Sequence, residues 1–249
     1  MARRATVVKQ ERAAAAHVLL LDAGDTLSSD RPLARQSQGK IVIEAMNLMG
    51  YDAMVLGERD LQLGPQVLRQ RIAEASFPFL AANLELEGEL FVEPYAIKEA
   101  GGHRVAIVGL TGMIPNPLHG FEVRDPLGTA QTLVAELRPQ ADIIVLLVHV
   151  GQEMEQRLKQ EIQGIDIIVG GSGQPRTSSA LWDQAAGVLI LPSEQPSPGH
   201  AGRLMGFARV LFDGSGRLTS HESQMISLSP DIADDPDVTL LVERYRQNQ

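Results

Sequence analysis

Four short stretches place residues capable of chemistry directly behind apolar runs. Val18-Leu19-Leu20-Leu21 leads through Asp22-Ala23 into a Gly24-Asp25 turn. Ala53-Met54-Val55-Leu56 runs into Gly57-Glu58-Arg59-Asp60, Ile143–Val148 into His149-Val150-Gly151, and Ile165–Val169 into Gly170-Gly171-Ser172-Gly173-Gln174. Runs of this kind read as buried strands. In open α/β sheets ligands bind outside the carboxyl ends of the strands. Carboxylates and an imidazole on such a rim can ligate a divalent cation or act as a general base. Asp25 also has a plainer reading, as a turn residue that hydrogen-bonds its own backbone. Four strand ends of the same character favour one shared site over four separate turns.

Other polar residues weigh less. His17, His103, His119, His200 and His221 follow no ligand spacing. Ser172 has no His–Asp partner nearby in sequence, and a hydroxyl nucleophile needs an activating base. Gly170-Gly171 ahead of Gln174-Pro175 offers amides for an anion, although a tight turn accounts for the same residues. Glu153 and Glu155 read as the solvated face of a helix, and Trp182 as a packed side chain.

The elements that must hold these residues alternate along the chain. Helices are expected over 2–16, 40–49 (closed by Gly50), 66–75, 126–137, 153–160 and 236–246. Strands are expected over 18–21, 53–56, 78–82, 91–97, 104–110, 142–150, 165–169, 188–191 and 207–212, the last closed by the hairpin signal Asp213-Gly214-Ser215-Gly216. Residues 26–38 read as a loop. The alternation means α/β. A length of 249 residues suits one domain or two lobes of one domain, and 44% hydrophobic with 21% charged residues is a globular composition. A net charge of −9 and only 4% aromatics exclude a nucleic-acid partner. The absence of cysteine excludes disulfides and thiolate metal sites. No run reaches the ~18 apolar residues of a membrane span. No apolar stretch of signal-peptide type follows Met1–Thr6, so as written the chain is expected in the cytoplasm.

Six stretches, in order and spacing, resemble the 5′-nucleotidase branch of the calcineurin-like metallophosphoesterases. They are LLLDAGDTL (19–27), GKIVIEAMNLMGYDAMVLGERD (39–60), FPFLAANLE (77–85), PYAIKEAGGHRVAIVGLTG (94–112), ADIIVLLVHVGQE (141–153) and GIDIIVGGSGQP (164–175). The resemblance implies two mixed β-sheets packed face to face with flanking helices, an αββα sandwich, and a dinuclear metal site at the strand ends. It implies one metallophosphatase domain over 1–249, without the family's C-terminal nucleotide-binding domain.

Against the family's motifs this sequence departs at most positions. Family members carry an Asp-x-His strand ahead of an Ala-Arg-Arg segment. This sequence opens at Met1-Ala2-Arg3-Arg4, so that strand is expected to be absent. Gly24-Asp25 is intact, and Asp25 matches the carboxylate that bridges both metals. Gly57-Glu58-Arg59-Asp60 stands where the family has Gly-Asn-His-Glu/Asp, so Glu58 replaces a ligand and Arg59 the His that assists the leaving group. His149 matches a ligand of the second metal. Gly171-Ser172-Gly173-Gln174 replaces Gly-His-Ser/Thr-His and with it both ligand histidines.

The chemistry implied is correspondingly reduced. Hydrolysis in such a site uses two cations ~3.5–4 Å apart that clamp the phosphate and supply a hydroxide. Only Asp25 is left for the first metal, while the second would see Asp25, Glu58, His149 and Ser172. The expectation is therefore no cofactor, or at most one weakly held Mn²⁺ or Zn²⁺ on Asp25 and His149 with Glu58. Arg59 is expected to pair with Asp25 in place of metal, since a buried carboxylate needs a counter-charge. No catalytic residue is expected, and Arg59, Asp60, Ser172 and Gln174 count as vestiges of the site. The function expected is a non-catalytic binding or interaction module, with a small anion or phosphate as ligand. The alternative is a weak mononuclear phosphomonoesterase. In a third reading the true start lies upstream, with a signal peptide and a periplasmic or extracellular location. The edge left open beside Val18–Leu21 is expected to recruit a second copy as a two-fold homodimer, because Ala2–Ala16 is helical and supplies no strand. No nucleic acid or membrane partner is expected.

Overall fold

The computed structural model describes residues 1–28, 31–114, 118–170, 180–192 and 203–247. In chain order the elements are α1 (Ala2–Ala14), β1 (Leu21–Asp22), α2 (Pro32–Gln36), α3 (Lys40–Met49), β2 (Ala53–Val55), α4 (Glu58–Leu61), α5 (Gly64–Glu74) and β3 (Phe79–Leu80). Next come β4 (Leu84–Leu86), β5 (Glu89–Leu90), β6 (Tyr95–Ala100), β7 (His103–Thr111), β8 (Phe121–Val123), α6 (Pro126–Leu137), β9 (Ile143–His149) and α7 (Gln152–Glu161). The chain closes with β10 (Ile167–Gly170), β11 (Leu181–Asp183), β12 (Val188–Pro192), β13 (Leu204–Phe212), β14 (Leu218–Ser227) and α8 (Pro236–Gln247).

The continuous apolar runs of β7 and β9 are buried along nearly their whole length. That requires cover on both faces. They form the middle of a six-stranded sheet of order β11-β12-β10-β9-β7-β6, in which β12, β10, β9 and β7 are parallel. β11 and β6 close its edges in antiparallel sense. A second sheet, β1-β2-β3, is parallel. The two sheets share one apolar layer, with Ala53, Val55 and Leu80 against Ile107, Val145 and Leu147. The sheets come so close that a Cβ on Gly109 would stand 2.5 Å from the Leu80 backbone, so only glycine fits there. Helices α1, α3, α5 and α8 cover the outer face of the small sheet, and α6 and α7 that of the large one. The four-layer αββα sandwich expected from the resemblance is therefore the fold. A small antiparallel sheet, β5-β4-β8, and the β13–β14 hairpin complete it.

Several local expectations are corrected. The strand expected over 18–21 pairs only at Leu21–Asp22, and Val18, Leu19 and Leu21 are no more than half-buried. Among the described residues β1 has β2 on one side only, and its other side borders a cavity. Within the expected loop 26–38 lies α2, started by Pro32, whose fixed φ suits the first helical position. β4, β5 and β8 have two or three residues each, too short for periodicity to register. The strand expected over 91–97 begins at Tyr95. Glu155 is buried, not solvated: its carboxylate lies so near Gly170 that a Cβ there would sit 2.2 Å away. Trp182 lies on edge strand β11 and is 37% exposed, tilted against His221 rather than packed in the core.

Candidate active-site rim

The rim forms where β1, β2 and β9 end. Past β1 the chain turns through Gly24 and Asp25, both left-handed, with φ of 90° and 60°. Asp tolerates that conformation better than most residues, at some strain. Backbone hydrogen bonds to a second carboxylate hold the turn. Asp60 accepts the N–H of Asp25 at 2.8 Å, of Leu27 at 2.8 Å and of Gly57 at 3.0 Å. Asp60 is fully buried, so one side chain ties the loop after β1 to the loop after β2. Asp22 supports the same turn, accepting from the Gly24 N–H at 3.0 Å and the Thr26 hydroxyl at 2.8 Å.

So positioned, the Asp25 carboxylate has three neighbours. Oδ1 accepts the backbone N–H of Arg59 at 2.8 Å. Oδ2 lies 3.2 Å from Nε2 of His149 and 3.9 Å from Nε of Arg59. Gly57 is required beside it, because a Cβ there would meet Asp25 Oδ1 at 2.2 Å. The imidazole is fixed from behind: Nδ1 donates to the Ala23 carbonyl at 2.7 Å. A carbonyl can only accept, so Nδ1 carries hydrogen and Nε2 is the atom turned to Asp25.

Electrostatics follow from that contact. Burial pulls the His149 pKa down, but the Asp25 hydrogen bond and charge outweigh it and raise the value to about 9. Burial pushes Asp25 up, and His149 with the Arg59 N–H more than reverses this, leaving it below the ordinary carboxylate value. For Asp60, burial and then the Asp25 charge raise the pKa to about 7 against the pull of its amide donors. Burial also raises Asp22, partly offset by Thr26.

The structure thus brings Asp25, Arg59, Asp60 and His149 together. The expected pair of Arg59 with Asp25 forms at 3.9 Å, and the His149 imidazole stands nearer to the same carboxylate oxygen, at 3.2 Å. Arg59 lies in the first turn of α4, engages Asp25 through its backbone, and leaves its side chain half-exposed. Glu58 is exposed. Among the described residues no three His, Asp or Glu side chains group as a metal site. Ser172 and Gln174 lie outside the described residues. Asp22, Thr26 and the Ala23 carbonyl escaped sequence reasoning, although Asp followed two residues later by Gly is a turn signal.

A divalent cation fits this rim in part. His149 presents Nε2 with its other nitrogen held by a carbonyl, the usual support of a ligating imidazole. Asp25 supplies oxygen. A proton on Nε2 and a cation between Nε2 and Oδ2 compete for the same place.

No family profile matches the chain. The snake venom 5′-nucleotidase of Gloydius brevicauda is 30% identical over 269 residues, spanning 99% of this chain and 46% of that protein. The chain thus spans about half the length of the curated relatives it matches. The crystal structure of a 5′-nucleotidase precursor from Thermus thermophilus matches with a TM-score of 0.83 at 28% identity, over 99% of this chain and 52% of that one. The calcineurin-like phosphoesterase YfkN of Bacillus subtilis matches in fold, with a TM-score of 0.78 at 20% identity, over 100% of this chain and 88% of that one. No described helix is long and apolar enough to cross a membrane.

Proposed function

We propose, for a chain whose homologues are 5′-nucleotidases and whose fold is that of the calcineurin-like metallophosphoesterases, a module that binds at the old phosphoesterase rim without hydrolysing phosphoesters. The observation that carries this reading is the closed contact of Asp25 with His149, 3.2 Å apart. One nitrogen and one carboxylate in mutual contact are a poor ligand set for the ion that would activate a hydroxide. Glu58 and Arg59 in place of Asn and His, and Ser172 and Gln174 in place of two histidines, support the same reading. The half-exposed guanidinium of Arg59 is suited to a small anion such as phosphate.

A second reading is favoured by one specific observation, the Nδ1 hydrogen bond to Ala23 that leaves Nε2 turned to Asp25. In it Asp25 and His149 hold a single Mn²⁺ or Zn²⁺, which when bound supplies a low-pKa water for weak phosphomonoester hydrolysis. The two residues orient the ion, and Arg59 faces the anionic substrate.

Elemental analysis after dialysis against Mn²⁺ or Zn²⁺ separates the two readings. The first expects well under one ion per chain, because one nitrogen and one carboxylate are a poor ligand set. One tightly held ion per chain, lost in His149→Ala, establishes the second.

A further inference from the structure

The apolar layer between the two sheets ends in a polar residue. Along β7 the side chains of Ile107 and Thr111 fall on one face by strand alternation, with Gly109 between them. Ile107 and Gly109 meet the small sheet. Thr111, fully buried, faces the same way. A buried hydroxyl costs free energy unless it is hydrogen-bonded, and this one donates to the Leu56 carbonyl at 2.8 Å. Leu56 stands between β2 and Gly57, the N-cap of α4.

The Leu56–Gly57 peptide is also held at its other end. The Gly57 N–H donates to the Asp60 carboxylate at 3.0 Å. A trans peptide is planar and points its C=O and N–H in opposite directions, so Thr111 and Asp60 together fix that plane. From it the chain enters α4, where the Arg59 N–H donates to Asp25 Oδ1 at 2.8 Å. Asp60 in turn accepts the N–H groups of Asp25 and Leu27. A line of hydrogen bonds thus joins the end of β7 to the Asp25 turn.

Thr111 is itself held in place. β6 pairs with β7 only as far as Tyr95 opposite Val108, and beyond that point Asn83 serves as the neighbour. Its amide oxygen accepts the Thr111 N–H at 2.9 Å, and its amide nitrogen donates to the carbonyls of Thr111 at 2.7 Å and Arg124 at 3.1 Å. Thr111 also lies opposite His149 in the β7–β9 register. It therefore stands against the ends of both β2 and β9.

A hydroxyl that only satisfied the Leu56 carbonyl would, when lost, lower stability everywhere alike. A hydroxyl that fixes the peptide plane has a local effect as well, because the released plane turns and carries Asp60 and the start of α4 with it.

We propose that Thr111 is a positioning residue of the Asp25 rim: through the Leu56–Gly57 peptide its hydroxyl sets the place of Asp60 and Arg59, and with them the affinity of the rim for an anion. The effect on affinity rests on the reading of the rim as an anion site, and the effect on placement does not.

Thr111→Val keeps the shape and removes the hydroxyl, and Thr111→Ser keeps the hydroxyl. Val134→Ala, a buried site in α6 beside Gly164 at the opposite end of the large sheet, is the control for lost stability alone. In Thr111→Val, hydrogen exchange at the Gly57, Asp25 and Leu27 amides should speed about 10-fold more than at Val145 and Leu146 of β9, the worth of one buried hydrogen bond. Inorganic phosphate, titrated against the Arg59 amide resonance, should bind Thr111→Val about 10-fold more weakly than the unmodified chain. Thr111→Ser and Val134→Ala should keep both the exchange ratio and the phosphate affinity of the unmodified chain. If Thr111→Val does not fold, Thr111→Ala is read against Thr111→Ser in the same way. An unchanged exchange ratio in Thr111→Val overturns the proposal, and so does an equal change in Val134→Ala or in Thr111→Ser. No phosphate binding by the unmodified chain would reject the anion reading of the rim, and the exchange ratio then decides on Thr111 by itself.

Discussion

Asp25 answers to three neighbours at once, and the balance among them decides what the rim can do. Its turn is strained, its oxygens are engaged by the Arg59 amide and the His149 imidazole, and its backbone N–H is held by Asp60. In the metal-free chain the His149 ring should titrate near 9, followed by NMR of its ring protons. Because that lies above the ordinary ~6.5, the stabilisation from His149 is fully present below the ordinary value and is lost as pH rises through about 9. Asp25→Asn should return the midpoint toward the ordinary value. A midpoint near ~6.5 in the unmodified protein would remove the ion pair from the rim. Asp60 has the larger structural role. Asp60→Ala leaves three N–H groups without that acceptor, two of them buried and one part-buried, and urea denaturation should show a loss of about 3 kcal/mol. A loss under about 1 kcal/mol would mean that water replaces the carboxylate at little cost. His149 is legible in the sequence because it follows a long apolar run directly, and Asp25 because it sits in the Gly-Asp turn behind another. Asp60 is legible as a member of the cluster, but not as the tie between two loops, since that depends on hydrogen bonds across 33 and 35 residues of chain.

Elements with a full apolar run follow the sequence pattern, and those held by long-range contacts do not. α3 with its Gly50 cap, β7, β9, α6 and the β13–β14 hairpin belong to the first group. β1 belongs to the second, because its length in the sheet depends on a neighbour and among the described residues it has one on a single side. Glu155 defeats the polar pattern of α7 in the same way: its burial is set by the approach of Gly170 from β10. Helix α8 offers a test at this scale. Asp235, at its N-cap, accepts the N–H of Asp237 and Val238 at 3.1 Å each and reaches Lys9 of α1 at 2.6 Å. Burial raises its pKa, but Lys9 and the two amides outweigh this and leave it depressed. Its contribution is therefore present above the ordinary carboxylate pKa and is lost as pH falls through the depressed value. Asp235→Ala should cost about 1–2 kcal/mol at neutral pH and much less in acid. An equal cost at both pH values would mean that packing, not the charge, joins α1 to α8.

At the scale of the whole molecule, the sandwich has the fold of the calcineurin-like metallophosphoesterases, and the proposal concerns the chemistry of its rim. The packed sheets bring the ends of β1, β2 and β9 to one place whatever residues stand there, so the fold persists when ligands are replaced. Among the described residues that place holds the Asp25 carboxylate and the His149 imidazole in mutual contact, with Arg59 at the edge. The most direct test of a rim without hydrolytic chemistry is turnover of an aryl phosphate by the purified chain in the presence of Mn²⁺ or Zn²⁺. The rate expected is no greater than that of Asp25→Asn under the same conditions. Metal-dependent turnover that Asp25→Asn abolishes would contradict it.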